Sequence, residues 1–189
     1  MVSKDREYRA FEMRTASEDM TVEGYAAVFN SPTVLYSVDG IDYKEEIRAD
    51  AFKDAQMADV VMNYNHTGKP VARTKNGTLE LSTDDHGLKI RAKLGGTEEG
   101  RKLYEEIKGG YIDQMSFAFT VAEASYDSEQ HKRSILRFKR TFDVAAVDIP
   151  AYDATSISAR SYFEAEAEKR DMAEARANHK RKIKILLEV

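Results

Sequence analysis

The stretch TLELSTDDHGLKIRAKL, residues 78–94, constrains the fold of this chain more than any other. Leu79 and Leu81 precede the turn residues Asp84-Asp85-His86-Gly87, and Leu88, Ile90, Ala92 and Leu94 then alternate with Lys89, Arg91 and Lys93. A spacing of two puts the apolar set on one face of a strand, so the segment predicts a β-hairpin with one wet face. The same pattern recurs. Residues 8–29, YRAFEMRTASEDMTVEGYAAVF, read as two strands about a polar turn at 16–19, and residues 60–64 as a short strand. In YIDQMSFAFTVAEASY, Met115, Phe117, Phe119 and Val121 form a bulky face opposite the small Ser116, Ala118 and Thr120. Residues 135–149 form a long β-rich stretch ending at Pro150.

Helical signals are fewer. In GTEEGRKLYEEIKGG, Thr97 is an N-cap, the first turn is acidic, and Gly109-Gly110 stops the helix after Lys108. Residues 48–58, RADAFKDAQMA, have helical composition with Asp50 as a cap, whereas NSPTVLYSVDGIDYKEEI before them reads as loop. Little suggests a parallel βαβ series. The expected fold is therefore mostly β with flanking helices (α+β), an antiparallel barrel or sandwich with two or three helices packed outside.

After Arg160 the composition changes to an Ala/Glu/Lys/Arg run in which Ser161 and Glu164 have capping-box spacing. The predicted division is a domain over 1–160 and a helical tail over 161–189, ending in KIKILLEV, where Ile183, Ile185, Leu187 and Val189 alternate like a strand or a sticky peptide.

Composition removes several functions. The chain has 29 Lys and Arg against 33 Asp and Glu, a formal charge of −4, so no field draws it to nucleic acid in general. It has no cysteine, which excludes a disulfide framework, a thiolate zinc site and a cysteine nucleophile. Neither a signal-like apolar stretch at MVSKDREYRAFEM nor a run of about 20 apolar residues is present, so the expectation is an intracellular, soluble protein without a membrane partner.

Four histidines compete for a chemical role. His66 lies in NYNHTGK at the end of a predicted strand, Ser116 lies in another strand, and Asp143 in a third. A serine hydroxyl needs a base to take its proton and that base needs a group to hold its tautomer, so Ser116, His66 and Asp143 are candidates for nucleophile, base and orienting acid. Spacing alone leaves the ordinary readings open: a turn histidine capping backbone groups, a strand serine bonded to its neighbour, and carboxylates paired with Arg or Lys. Asp148 competes with Asp143. By strand alternation Asp143 shares a face with Arg137, Lys139 and Thr141 unless a bulge intervenes, and Asp148 shares one with Phe142, Val144 and Ala146. Asp-Asp-His-Gly at 84–87 is turn chemistry rather than a metal site, and His131 and His179 stand among charges as solvated residues. No cofactor or metal is expected.

Taken in order, GYAAVFNSP, YKEEIRADAF, YNHTGKPVARTKNGTLEL, GGYIDQMSFAF and DVAAVDIPAYDATSISAR closely resemble the prohead serine proteases of tailed bacteriophages, relatives of the herpesvirus assembly proteases. The resemblance covers about residues 8–160. It implies a herpesvirus-protease-like barrel, His66 as base, Ser116 as nucleophile and Asp143 as orienting residue. It also implies an endopeptidase that cuts the scaffolding segment of the major capsid protein and itself, within the immature prohead in the host cytoplasm. Self-association, and a tail that targets the protease or is removed by it, belong to the same implication; an alanine-rich helix serves equally as ordinary structure docked on the barrel. The sequence departs from the family pattern at Thr67, where many relatives carry Asp, and at Ala145, where serine is usual. Backbone N–H groups near Ser116, or Arg73, are candidate oxyanion donors. Against the protease stand two other classes: a noncatalytic capsid-assembly or scaffolding protein of the same fold, and a generic β-barrel binding module.

Overall fold

A computed structural model describes residues 7–17, 19–148 and 152–187. Its strands are β1 (Glu7–Ser17), β2 (Thr21–Val28), β3 (Thr33–Val38), β4 (Ile41–Ile47), β5 (Val61–Tyr64), β6 (Thr67–Arg73), β7 (Leu79–Thr83), β8 (Gly87–Lys93), β9 (Gln114–Asp127) and β10 (Lys132–Val147). The helices are α1 (Glu98–Lys108) and α2 (Tyr152–Leu187). The strands run in the order β3-β4-β10-β9-β1-β2-β8-β7, with a side branch in which β5 pairs with β10 and carries β6.

This is a mostly β fold with two helices, but the sheet does not close. The terminal strands β3 and β7 do not pair with each other, so the expected barrel is replaced by an open, strongly bent sheet. The reason lies in β10, which is 16 residues long and shifts register against β9 four times. Each shift turns the strand. Its first part pairs in parallel with β4 and its last part in parallel with β5, two parallel ladders in a chain expected to be antiparallel.

Two other expectations change. The loop-like 30–47 segment is the hairpin β3–β4, closed by Asp39 and Gly40, both at positive φ as a type I′ turn requires. The helical composition of 48–58 does not produce a helix. Its backbone is tied along β10 instead, with Phe138 N–H donating to Ala51 O and Gln56 N–H to Lys139 O. Tertiary bonds override propensity here. The predicted hairpins β1–β2 and β7–β8 form, and so does α1, with Thr97 Oγ1 accepting from Gly100 N at 2.9 Å.

The core lies beneath the bent sheet. Phe52, Phe117, Phe119 and Phe138 are all at most 2% exposed, with neighbouring rings 4.3–6.0 Å apart. Helix α1 buries Leu103, Tyr104 and Ile107 against it. A Cβ at Gly100 would sit 2.2 Å from Leu94 O, so only glycine lets the helix approach this closely.

Helix α2 begins nine residues before Ser161, which is therefore interior to the helix and not its cap. Ile183, Ile185 and Leu187 continue as helix rather than strand, while Pro150 and Val189 lie outside the described residues. The helix docks through Phe163, 3% exposed, on Leu35 and the rings of Tyr36, Tyr43 and Tyr126. Tyr162 covers the Arg133 guanidinium at 4.2 Å.

Arg133 belongs to a buried ring of alternating charge. It donates to Glu7 at 2.6 and 2.9 Å and to Glu45 at 3.1 Å, while Arg9 donates to Glu45 twice at 2.6 Å and to Glu7 at 3.1 Å. Two acids from β1 and β4 thus meet two bases from β1 and β10. Burial pushes the Glu7 carboxyl up, but the Arg133 and Arg9 guanidiniums outweigh it and hold the group below the ordinary glutamate range. A depressed carboxylate stabilises the fold fully above its unfolded pKa, and that contribution is lost as pH falls through the folded value. Accordingly Glu7→Gln should lessen the loss of stability on acidification below about pH 4.3, measured by urea unfolding across pH. Arg133→Met leaves two buried carboxylates to share Arg9 alone, one negative charge uncompensated, and should cost about 3–5 kcal/mol at neutral pH.

Candidate active site

Residues 63–67 turn back so tightly that only two residues separate β5 from β6. Tyr64 pairs with Thr67, and Asn65 and His66 between them have φ of 48° and 56°. This is a type I′ turn, whose second central position favours glycine. A histidine there holds its backbone in a sparsely populated region, and surrounding bonds must maintain it. They are present: Asn65 N–H donates to Ala146 O at 2.9 Å, Asn65 Oδ1 accepts from Asp148 N at 3.3 Å, and Tyr64 O–H donates to Asp148 Oδ2 at 2.9 Å. The hairpin tip is thereby fastened to the end of β10.

From that tip the imidazole reaches Asp143, with Nδ1 2.5 Å from Oδ1 and side chains 15% and 9% exposed. A carboxylate oxygen this close to a ring nitrogen requires a proton between them. Nδ1 donates, and the neutral ring then carries its lone pair on Nε2, which is buried.

Asp143 faces His66 because of a single extra residue. On β10, Thr141 pairs with Phe119 and Asp143 with Ala118, so Phe142 is a bulge. Without it, Asp143 would share the face of Thr141, as simple alternation predicts. With it, Asp143 joins the opposite face. Beyond the bulge the ladder is regular: Ala145 pairs with Ser116 on one side and with Asn63 on the other. Cross-strand partners share a face, so Ser116, Ala118, Asn63, Ala145 and Asp143 form one patch of small and polar residues. The other face carries Met115, Phe117, Val144 and Ala146 into the core.

Ser116 has no solvent exposure, and its Oγ has no hydrogen-bond partner among the described residues. Asn63, 7% exposed and with an Oδ1 that has no partner among the described residues, is a polar member of this patch that sequence reasoning missed. Its signal was a single amide within the apolar run VVMNY. Asp148, the competing carboxylate, accepts from the Tyr64 hydroxyl. Arg73 is engaged by Asp59 through Nε and Nη2, with both bonds at 2.7 Å, and its guanidinium holds that carboxyl low.

Two of the remaining histidines make structural contacts. His86 sits in an Asx-turn whose Asp84 Oδ1 accepts from both His86 N and Gly87 N. His131, expected to be solvated, packs its ring 5.1 Å from Tyr43 and lies 3.3 Å from the Tyr126 hydroxyl. His179 is exposed on α2.

Beside the hairpin, between β6 and α1, lies a cleft of about 700 Å³. Val71, Leu103 and Ile112 line its apolar part, and Lys69, Glu106 and Tyr111 its polar part. Lys69 pairs across it with Glu99 at 2.9 Å. Since the His66 backbone depends on the turn, Asn65→Val should destabilise the protein by about 1–3 kcal/mol, because a β-branched residue resists positive φ. Asn65→Gly, which accepts that φ, should lose less, and urea denaturation of both variants checks the order.

No curated protein matches the sequence significantly. Among solved structures, the capsid assembly protease of bacteriophage T4 is similar, at 14% identity and a TM-score of 0.49, over 77% of this chain and 98% of that one. The family described as Caudovirus prohead serine protease matches residues 6–171. With most of the sequence inside that match, the chain belongs to the prohead serine protease family of tailed phages.

Proposed function

We propose that this chain is a serine endopeptidase of capsid maturation in which Ser116 is the nucleophile, His66 the general base and Asp143 the residue that orients it. The observation that carries the reading is the His66 Nδ1–Asp143 bond, made on the same sheet face as Ser116. Membership of the family supports the reaction class. Ser116 Oγ attacks the scissile carbonyl carbon while Nε2 of His66 takes its proton. The imidazolium, steadied by Asp143, then protonates the leaving amine as the C–N bond breaks, and water repeats the cycle on the acyl-enzyme. The substrates are the scaffolding segment of the capsid protein and the protease itself, inside the immature prohead in the host cytoplasm.

Two features of the site bear on access. Ser116 is fully buried, so a peptide reaches it only after neighbouring chain moves aside. The cleft beside the hairpin is open and partly apolar, suited to substrate side chains near the scissile bond.

A fluorophosphonate should label the parent at Ser116 and leave Ser116→Ala unlabelled. His66→Ala should slow labelling by about 10²–10⁴-fold with an unchanged circular dichroism spectrum. Normal labelling of His66→Ala would remove His66 from the mechanism. Intact-mass measurement of the purified chain should show trimming in the parent and none in Ser116→Ala; a noncatalytic assembly protein gives identical masses. Tyr111 is 83% exposed at the cleft, so Tyr111→Ala should weaken peptide cleavage mainly through KM while fluorophosphonate labelling persists.

A further inference from the structure

Helix α2 spans 36 residues, about 54 Å at 1.5 Å per residue, and among its described side chains those of Tyr162 and Phe163 pack on the sheet. Residues 164–181 are exposed throughout except for Glu166, which is half-buried. The charges on this outer part are segregated. Residues 164–174 hold Glu164, Glu166, Glu168, Asp171 and Glu174 against Lys169 and Arg170, a net −3. Residues 175–184 hold Arg176, Lys180, Arg181, Lys182 and Lys184 and no acid, a net +5.

Two ordinary explanations fall short. The helix dipole favours acids at the start and bases at the end, but its effect fades within the first turn, and the acidic block starts twelve residues after Tyr152. Ion pairs along a single helix join residues three or four apart, as Lys169 and Glu166 do at 2.6 Å, which favours mixing the two signs rather than separating them. Blocks of opposite sign eleven or so residues apart complement each other only across two helices.

We propose that α2 pairs antiparallel with α2 of a second copy of this chain, crossing near Glu174, so that each acidic block lies along the partner copy's basic block. About 21 residues overlap, roughly 31 Å. Ala165 and Ala175 share a helix face with Met172, which is 56% exposed, so small side chains let the backbones approach and apolar surface lies beside the crossing. A parallel pair would set like charge against like. The proposal is independent of the protease chemistry, since no residue of the Ser116 site takes part.

Sedimentation at low salt should give a dimer whose dissociation constant weakens at least tenfold in about 0.5 M NaCl, where screening shortens to a few ångströms. Glu164→Lys/Glu168→Lys/Glu174→Lys and Arg176→Glu/Lys180→Glu/Arg181→Glu should each be monomeric alone and should dimerise when mixed. All six positions are exposed, so circular dichroism should be unchanged. The chain has no cysteine, which permits a clean test of direction. Oxidising Lys169→Cys mixed with His179→Cys, exposed positions that flank Met172 on its own helix face, should yield cross-linked dimers, and either alone should not. A monomeric parent at low salt, charge variants that dimerise alone, or Lys169→Cys cross-linking to itself would each overturn the proposal.

Discussion

One inserted residue decides what the rest of the site can be. Phe142 bulges from β10, and past that point the strand's inward and outward faces exchange. The exchange moves Asp143 from the core side, where Thr141 lies buried with Phe119, to the side carrying Ser116 and Ala118. The same bend lets the end of β10 accept β5 in parallel, and β5 delivers the hairpin whose tip bears His66. A carboxylate on this face without a partner would face the full penalty of burial. The bulge and the strained turn are thus mutually dependent: one turns Asp143 outward from the core, and the other supplies the imidazole that hydrogen-bonds to it.

The structure holds this strained end rigid from the opposite end as well. The ring of Glu7, Arg9, Glu45 and Arg133 joins β1, β4 and the start of β10, and Tyr162 closes over it. β10 is thereby anchored at its first residues by buried charge and at its last by the β5–β6 hairpin. Its register shifts lie between the two anchors. Such a network adds little net stability over well-packed apolar residues, but it penalises any register that leaves one charge alone. Strand β10 needs that discrimination more than any other, because its irregular middle provides weak register information.

What the sequence revealed follows the same division. Regular, half-wet strands were readable: Leu79 to Leu94 and Met115 to Val121 alternate cleanly because one side faces the core and the other does not. The β3–β4 hairpin was not, since Val34, Val38 and Ile41 are 41–45% exposed and its alternation carries no burial signal. Residues 48–58 looked helical because Ala, Lys, Gln and Met favour a helix, with Asp50 as its cap, wherever nothing else claims their backbone, and here β10 does. The Ser161–Glu164 spacing had cap chemistry without a cap, as the helix had already started at Tyr152. Of the site, His66 and Ser116 could be placed at a strand end and on a small face. Asp143 could not be assigned a face, because no sequence pattern marked Phe142 as the extra residue.

The departure at Ala145 acquires a physical meaning from its position. It lies directly across the ladder from Ser116, where cross-strand side chains are about 4.5–5.5 Å apart at Cβ. A serine there presents a hydroxyl able to bond Ser116 Oγ, and that bond would have to break before Ser116 could turn toward an imidazole. A methyl group offers no such competitor, which agrees with an Oγ that has no partner among the described residues. The substitution therefore removes support and removes competition together. In a buried patch of low dielectric the second effect weighs heavily, because a hydrogen bond made there is stronger than one made in water and harder to exchange. Ser116 is left dependent on whatever next enters its side of the sheet.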